Sequence, residues 1–258
     1  MGAVEVDPEL GVSLRGQWVP APRYLLRRDR ILANLEGKAP DRVVEVGCGA
    51  GALLHDLARR GFRCTGLEQS AAAVQVARAI HEGTGTEIVD VAGADWNGSF
   101  GYLISCEVLE HIERDVEALR EWVGWLKPGG TAILSVPAHR SMFGPSDVWA
   151  GHYRRYSRRD FEDLARAAGL NVVTTECYGF PVGNVTHRLR NLAARRKTFV
   201  SKRANTDRSG IDRTTEVRLY PMQTSFIGRL TLRAALRTQS QFLHTDLGEG
   251  YLLVAQKP

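Results

Sequence analysis

The segment that most constrains the fold is residues 43–51, VVEVGCGAG, in which a short apolar run leads into a glycine-rich turn. Apolar residues then recur at helical spacing, so the segment predicts a strand, a tight turn and a helix. Gly47, Gly49 and Gly51 allow backbone conformations that other residues rarely adopt. They also leave backbone N–H groups at the helix N-terminus open to a ligand. The sequence therefore predicts a ligand-binding strand–helix unit.

The spacing of these glycines distinguishes two classes of site. Dinucleotide-binding proteins use G-x-G-x-x-G, whose third small residue stands one position later than Gly51. Here the pattern is G-x-G-x-G, with Glu45 two positions before Gly47. In this form it resembles the first motif of class I S-adenosylmethionine-dependent methyltransferases. The resemblance implies that Glu45, Gly47, Cys48, Gly49 and Gly51 bind S-adenosylmethionine.

Further along the chain, acidic residues follow the next two predicted strands. Glu68, beside Gln69, ends the second strand, where a carboxylate can accept both ribose hydroxyls of a nicotinamide cofactor or of S-adenosylmethionine. The third strand, 88–91, leads to Asp95 and Trp96. The family resemblance implies that Asp95 accepts the adenine amino group while Trp96 contacts the ring. A capping aspartate beside a core tryptophan is the alternative.

Two later strings extend the resemblance. Residues 107–112, EVLEHI, follow a strand that ends at Cys106, and residues 126–130, LKPGG, form a turn before a fifth strand at 131–137. Both are similar to motifs of the small-molecule branch of that family, which places Cys106 in the cofactor cleft. We therefore expect an α/β fold, a Rossmann-like, mostly parallel seven-stranded sheet with helices on both faces. The family also implies that the last strand, 250–256, is antiparallel and inserts between strands five and six.

The predicted elements divide the chain into four parts. These are an N-terminal lid with a helix (1–36), an S-adenosylmethionine-binding core (37–178), a cap insertion for the acceptor (179–249) and a final core strand (250–258). A structureless loop as long as 179–249 would be unusual in a compact domain. We expect two basic helices there, about 182–200 and 225–238, joined by a mobile stretch near 205–213.

In related enzymes the segment before the first helix closes over the cofactor. The resemblance implies this role for Trp18 and Tyr24. It also implies that Arg28, or its neighbour Arg27, faces the methionine carboxylate. A surface helix packed by its apolar residues is the alternative reading.

Candidate catalytic residues come from two places. His111 follows the fourth strand, whose C-terminal end faces the cleft in this architecture, so it is the first candidate for a base or an acceptor-orienting group. A histidine that caps its helix fits the sequence equally well. Glu107, four residues earlier, could pair with His111 on one helical face.

The second place is residues 151–157, GHYRRYS, which resemble an element that follows strand five in the same branch. The resemblance adds His152, Tyr153 and Tyr156 as candidates for the acceptor pocket. Ser157 is expected to cap the next helix.

The basic residues are concentrated in the second half of the chain. Residues 1–150 carry 15 Lys and Arg against 20 Asp and Glu, whereas residues 151–258 carry 19 against 9. Seven basic residues and no acidic residue lie within 188–203. Such a run suits nucleic acid, an anionic membrane surface, an anionic substrate or simply a solvated helical face. Phe199 is the one aromatic residue within it, too few for a series of stacked bases, and we expect no nucleic-acid partner.

Other features of the sequence limit the remaining possibilities. No apolar stretch approaches about 18 residues and no secretory signal is evident, so we expect a cytoplasmic protein without a transmembrane segment. Peripheral membrane contact stays open. The four cysteines are widely spaced without a C-x-x-C pair, so neither a metal nor a disulfide is expected.

These observations favour a methyltransferase acting on an oxygen, nitrogen or carbon atom of a small molecule, with S-adenosylhomocysteine as the second product. A biosynthetic acceptor such as a natural product is expected, and a phosphate or carboxylate on it would suit the basic run. Three alternatives stay open: an RNA methyltransferase, an NAD-dependent oxidoreductase and a non-catalytic cofactor-binding subunit. The sequence leaves the acceptor atom and the oligomeric state undetermined.

Overall fold

A seven-stranded sheet with helices on both faces forms the centre of the protein. The computed structural model describes residues 2–195 and 213–258. The strands are β1 Val4–Asp7, β2 Gly11–Leu14, β3 Arg42–Val46, β4 Arg63–Leu67, β5 Glu87–Val89, β6 Phe100–Cys106, β7 Leu126–Pro137, β8 Asn171–Tyr178 and β9 Gly250–Gln256. The helices are α1 Pro22–Asn34, α2 Ala52–Ala58, α3 Ala71–Ile80, α4 Asp115–Trp125, α5 Pro145–Ala150, α6 Arg158–Ala167, α7 Val182–Ala194, α8 Thr214–Thr224 and α9 Phe226–Phe242. Short 3₁₀ helices lie at Leu109–His111 and Arg140–Met142.

The strands of the sheet follow the order β5-β4-β3-β6-β7-β9-β8. Neighbouring strands from β5 to β7 are parallel, whereas β9 pairs antiparallel with both β7 and β8. This arrangement confirms the predicted Rossmann-like sheet and the insertion of its antiparallel last strand. Helices cover both faces, which explains why β3 reads as a nearly continuous apolar run instead of an alternating one.

The strand order changes direction between β3 and β6. β3 pairs with β4 on one side and with β6 on the other. The helices that follow these strands, α2 and α4, belong to separate core clusters, one on each face of the sheet. Chains that leave adjacent strands toward opposite faces open a crevice at the carboxyl edge of the sheet. The segments that follow β3, β4 and β6 all meet at this edge.

The N-terminal segment contains an element that the sequence analysis did not predict. β1 and β2 form a two-stranded antiparallel hairpin. Its turn is held by Asp7, whose Oδ1 accepts hydrogen bonds from the backbone N–H groups of Glu9 and Leu10. Strands of four residues carry too few positions for a periodic signal, but an aspartate that opens a turn was a usable indication.

Several predicted boundaries shift in the structure. The segment after β6 is a single 3₁₀ turn at Leu109–His111. LKPGG lies within one long strand, β7, at a register shift against β6. In the predicted cap insertion, α7 ends at Ala194, α9 extends to Phe242, and an additional helix, α8, precedes α9. The stretch predicted to be mobile lies, apart from Arg213, outside the described residues.

Candidate active site

The glycine turn after β3 adopts the conformation that its sequence requires. Gly47, Gly49 and Gly51 have φ of 70°, 54° and 71°, in the left-handed region that favours glycine. Space excludes a side chain at two of them. A Cβ on Gly51 would lie 2.8 Å from Nε2 of His81, and one on Gly47 would overlap Cγ2 of Val108. The turn therefore exposes backbone at the crevice.

Glu68 lies directly against this turn. Its Oε2 accepts a hydrogen bond of 2.8 Å from the backbone N–H of Gly49, and its Oε1 accepts one of 2.9 Å from the N–H of Ser70. The carboxylate thus links the end of β4 to the glycine turn. Each oxygen retains a lone pair for another donor. Binding of a ribose by Glu68 stays a prediction that this position suits.

The residues predicted to surround the adenine occupy two different environments. Gln69 and Asp95 are exposed at the ends of β4 and β5. Trp96, in contrast, is buried, with its ring edge-to-face against Phe100 and Trp125 at centroid distances of 5.2 and 5.0 Å. The contact of Trp96 with the adenine therefore stays a prediction, and the packing of its ring agrees with the alternative of a core tryptophan.

On the other side of the turn lie two aromatic residues of the N-terminal segment. Trp18 and Tyr24 form an edge-to-face pair at 6.1 Å and pack with Ala50 and Ala52. Trp18 Nε1 and Tyr24 Oη are buried and have no hydrogen-bond partner within the described part of the chain. Both polar atoms thus lie beside the glycine turn with bonding capacity left for a ligand.

Arg28 requires a correction. Its guanidinium forms paired hydrogen bonds of 2.5 and 2.7 Å with Asp56 of α2 and a third with the carbonyl of Glu9. It therefore fastens α1 to α2 and to the hairpin. Arg27, one position earlier, is directed elsewhere: its Nη1 lies 3.9 Å from Oε1 of Glu107 at the end of β6. Of the two arginines Arg27 is the better placed, and its contact with the methionine carboxylate stays a prediction.

Charged and thiol groups line the floor of the crevice. Glu45 of β3 is 5% exposed, and its Oε2 has no hydrogen-bond partner among the residues described. Burial raises the pKa of Glu45 to about 8, against the opposing effect of Arg27. Burial also raises the pKa of Cys106 to about 11 and that of Cys48 well above its ordinary value. The thiols are therefore protonated near neutral pH.

A cluster of three groups lies beyond β6. Glu110 and His111 come from the 3₁₀ helix, and His152 follows α5. The two imidazole rings are perpendicular with centroids 4.6 Å apart. Oε1 of Glu110 lies 3.9 Å from Nε2 of His152. The structure thus brings the predicted His111 and His152 together and adds Glu110.

Glu110 is fully buried, and neither of its carboxylate oxygens has a hydrogen-bond partner in the described part of the protein. Burial raises its pKa to about 7. His152 Nδ1 lies 2.8 Å from Oδ1 of Asp147, while burial lowers the pKa of His152. Sequence reasoning missed Glu110 and Asp147. The only available signal for Glu110 was its position beside His111.

The expected partnership of Glu107 with His111 is not formed. Glu107 has φ of 60°, so no helix links it to His111. Its carboxylate pairs with Arg23 and accepts hydrogen bonds from Ser135 and Tyr178 at 3.2 Å each. It thereby joins the ends of β6, β7 and β8 to α1.

The two predicted tyrosines lie in different places. The hydroxyl of buried Tyr156 donates a hydrogen bond of 2.8 Å to Asp115, and burial raises its pKa. Its proposed place in the acceptor pocket is therefore corrected to a structural bond that joins the segment before α6 to the start of α4. Tyr153 is 43% exposed, and its backbone N–H donates to the carbonyl of Glu110. Tyr153 stays a candidate at the rim of the cluster.

Sequence comparison relates the chain to known methyltransferases. Residues 21–175 match the sequence profile of a family described as a methyltransferase domain. The ubiquinone biosynthesis O-methyltransferase of Vibrio vulnificus (strain YJ016) is 31% identical over 130 residues, which cover 48% of this chain and 55% of that protein. The enzyme of the same name from Alkalilimnicola ehrlichii is 34% identical over 117 residues, covering 43% and 47%. The chain spans about half the length of the curated relatives it matches.

Solved structures support the fold at lower identity. The 4+2 cyclase SpnF superposes with a TM-score of 0.60 and 18% identity, covering 95% of this chain and 87% of that one. Phosphoethanolamine N-methyltransferase 2 of Haemonchus contortus, solved with S-adenosyl-L-methionine, gives a TM-score of 0.56 and 16% identity over 90% and 52% of the two chains. The profile match covers more than half of the chain, which therefore belongs to the methyltransferase domain family, within the class I S-adenosylmethionine-dependent methyltransferases.

Proposed function

We propose that the protein transfers a methyl group from S-adenosylmethionine to a hydroxyl oxygen of a small-molecule acceptor. The observation that carries this proposal is the cluster of Glu110, His111 and His152, which lies next to the crevice that the glycine turn opens. The cofactor side and the acceptor side are joined by β6, whose last residue Cys106 precedes the cluster.

Unsatisfied polar groups support a cofactor in the crevice. Trp18 Nε1, Tyr24 Oη and Glu45 Oε2 are buried without a partner among the described residues. Because buried polar groups are normally hydrogen-bonded, these atoms fit a polar ligand that spans the glycine turn. Gln69 and Asp95, exposed at the same edge of the sheet, stay candidates for the adenosine end.

The names of the two relatives in sequence support oxygen as the acceptor atom. Both are O-methyltransferases, and each covers less than half of this chain. The cluster itself fits a hydroxyl, because Glu110 Oε1 and His152 Nε2 lie where either can accept a hydrogen bond from it. A carbon nucleophile, or an amine that already carries a free electron pair, does not need to give up a proton to either of these two atoms.

When bound, S-adenosylmethionine supplies a methyl carbon to which the acceptor oxygen bonds while the carbon–sulfur bond breaks and its electron pair passes to sulfur. Positioning is the main task of the protein in such a displacement, since the reacting atoms must approach within about 3–3.5 Å. The cluster would orient the acceptor hydroxyl. Arg27 would orient the cofactor carboxylate from α1.

The alternatives that depend on the basic run at 188–203, such as an RNA substrate, find less support in the described residues. Of the basic run, Arg190 is paired with Glu249 at 2.6 Å, while Arg188 and Arg195 are exposed. The remaining four basic residues lie outside the described part of the chain. A phosphate or carboxylate on the acceptor therefore stays a proposal.

The test is an incubation of purified protein with trideuteromethyl-labelled S-adenosylmethionine and a metabolite extract, followed by mass spectrometry. We expect a labelled methoxy product, formed about 100-fold more slowly by His152→Ala if this residue acts on the hydroxyl proton. Gly49→Val, which obstructs the glycine turn, should form none. Label on nitrogen or carbon would contradict the oxygen acceptor.

A further inference from the structure

The cluster beyond β6 has the composition of a metal site. Glu110, His111 and His152 each offer one ligand atom, and these three atoms lie within 4.8 Å of one another. Two ligands that are each about 2.1 Å from a tetrahedral ion lie about 3.4 Å apart. The 3.9 Å between Glu110 Oε1 and His152 Nε2 would shorten by about half an ångström when an ion binds. The longest separation would shorten by about 1.4 Å at most, a change that side-chain rotation can supply.

The carboxylate of Glu110 points to a missing positive partner. It is completely buried, and both oxygens are without a hydrogen-bond partner in the described part of the chain. Three arginines act on Glu110 through their charge, and each has another carboxylate closer by: Arg23 pairs with Glu107, Arg27 lies 3.9 Å from Glu107, and Arg155 pairs with Asp147. A buried carboxylate without a partner is costly, whereas a bound cation would satisfy it.

The hydrogen bonding of His152 matches that of a metal ligand. Its Nδ1 is bound to Asp147, so the proton lies on that nitrogen and the lone pair of Nε2 is directed toward Glu110. Asp147 is itself fixed by Arg155 at 2.8 Å and by the backbone N–H of Gly144 at 2.9 Å. A carboxylate that orients a histidine in this way is a recurrent feature around protein-bound metals.

We propose that Glu110, His111 and His152 bind a divalent cation of the zinc class. Two imidazoles and one carboxylate suit such an ion, and three protein ligands leave a position open. The sequence analysis expected no metal because it relied on cysteine spacing and local histidine clusters. This site is assembled from segments far apart in the chain, and only the fold brings them together.

The open position gives the site a role that rests on the proposed function: with the ion bound, Glu110 and His152 would hold the acceptor hydroxyl through the ion instead of by direct hydrogen bonds. An acceptor hydroxyl bound there would be acidified by the ion and would lose its proton to solvent. The oxygen then forms its bond to the methyl carbon, the carbon–sulfur bond breaks, and the electron pair passes to sulfur. No oxidant or reductant is required.

Zn²⁺ binding to the intact, metal-stripped protein tests the site without measuring methyl transfer. We expect one equivalent per chain, quantified by competition with a chromophoric chelator. Glu110→Gln and His152→Ala should each weaken binding by at least about tenfold, and Asp147→Asn by about 10- to 100-fold. His244→Ala, which removes an exposed histidine elsewhere, is the matched control and should bind as the wild type does.

Two results would overturn the proposal. One is the absence of Zn²⁺ binding by the wild type, and the other is wild-type affinity in Glu110→Gln and His152→Ala. Co²⁺ substitution adds a spectroscopic check, since a thiolate charge-transfer band would assign the ion to the cysteines instead. Calorimetry with S-adenosylhomocysteine on the same variants verifies that they are folded. If that ligand binds and Zn²⁺ does not, the metal proposal fails while the proposed function stands.

Discussion

At the scale of single residues, Glu45 is a buried carboxyl group whose surroundings oppose its ionisation. Burial raises its pKa to about 8, from an ordinary value of 4.5. The ionisable groups that face it come from every neighbouring element; they are Tyr24, Arg27, Asp56, Glu68, Cys48, Cys64 and Cys106. Of these, Arg27 is the cation that lowers the pKa of Glu45.

This environment predicts a pH-dependent stability. Between about pH 4.5 and 8 the folded protein keeps the proton of Glu45 while the unfolded chain loses it. The free energy of unfolding should therefore fall as pH rises through this range, by up to about 1.4 kcal/mol per pH unit. Denaturant titrations at pH 5 and pH 8 measure the free energy of unfolding of the wild type minus that of Glu45→Gln. This value should be lower at pH 8 than at pH 5. A value that is equal or higher at pH 8 would refute the raised pKa of Glu45.

Arg27 and Arg28 provide a matched pair of substitutions. Arg27→Gln should weaken S-adenosylhomocysteine binding by about tenfold, because one carboxylate contact is worth about 1.4 kcal/mol, and should change stability little. Arg28→Gln should reduce the free energy of unfolding by about 2 kcal/mol, since it breaks the paired bonds to Asp56. Calorimetry and denaturation separate the effects. The reverse pattern would restore Arg28 as the cofactor residue.

These residues also mark how far the sequence could define the site. The glycine turn and His111 were predictable because their chemistry depends on local spacing. The choice between Arg27 and Arg28 could not be predicted from the sequence, because it depends on the rotation of α1 against α2. Glu110 and Asp147 were missed for a related reason, because only the packing of α5 beside the 3₁₀ helix brings them to His152.

At the scale of secondary-structure elements, ion pairs attach the N-terminal hairpin to α9. Arg229 pairs with Asp7 at 2.5 Å, and Arg233 pairs with Glu9. The hydrogen bond from Arg229 lowers the pKa of Asp7 to about 2. The hairpin is therefore fixed to a helix of the segment predicted to form the cap.

Asp7→Asn isolates this attachment, because asparagine Oδ1 can still accept the turn hydrogen bonds. We expect a loss of about 1 kcal/mol near neutral pH, a modest value because the pair is partly exposed. The contribution is present above about pH 4 and disappears as pH falls toward 2, where Asp7 becomes protonated. Thermal denaturation at pH 7 and pH 3 provides the measurement. Arg229→Gln should show the same dependence on pH as Asp7→Asn. Equal losses of stability at pH 7 and pH 3 would argue against the ion pair between Asp7 and Arg229.

The elements themselves could be predicted to different degrees. β3, β6, β7 and β9 carried apolar runs, so the sheet and its helices followed from pattern and family resemblance. α8 was not predicted, because Pro221 interrupts its helical pattern. The hairpin was missed because its attachment to α9 joins residues from opposite ends of the chain.

At the scale of the whole molecule, a group of exposed apolar side chains at the junction of α8 and α9 stands out. Leu219, Met222, Phe226, Ile227 and Leu230 are each at least 50% exposed. Within the described ranges, no helix combines the length and apolarity needed to span a membrane. Apolar residues amid arginines are typical of a surface that contacts anionic lipid.

Peripheral membrane contact therefore stays a prediction that these helices can test. Co-sedimentation with vesicles of phosphatidylglycerol and phosphatidylcholine should retain the wild type at low salt. Phe226→Asp combined with Ile227→Asp should release most of it, whereas Val173→Asp, an exposed position on edge strand β8, should not. Equal behaviour of all three proteins would remove the prediction.

Calorimetric titration with S-adenosylhomocysteine measures whether the crevice beside the glycine turn binds S-adenosylmethionine. We expect micromolar affinity for the wild type and for the control Glu87→Ala, with binding lost in Gly49→Val and Glu68→Ala. NAD, titrated in parallel, should not bind. Tighter binding of NAD, or no binding of S-adenosylhomocysteine by a folded wild type, would refute a site for S-adenosylmethionine in this crevice.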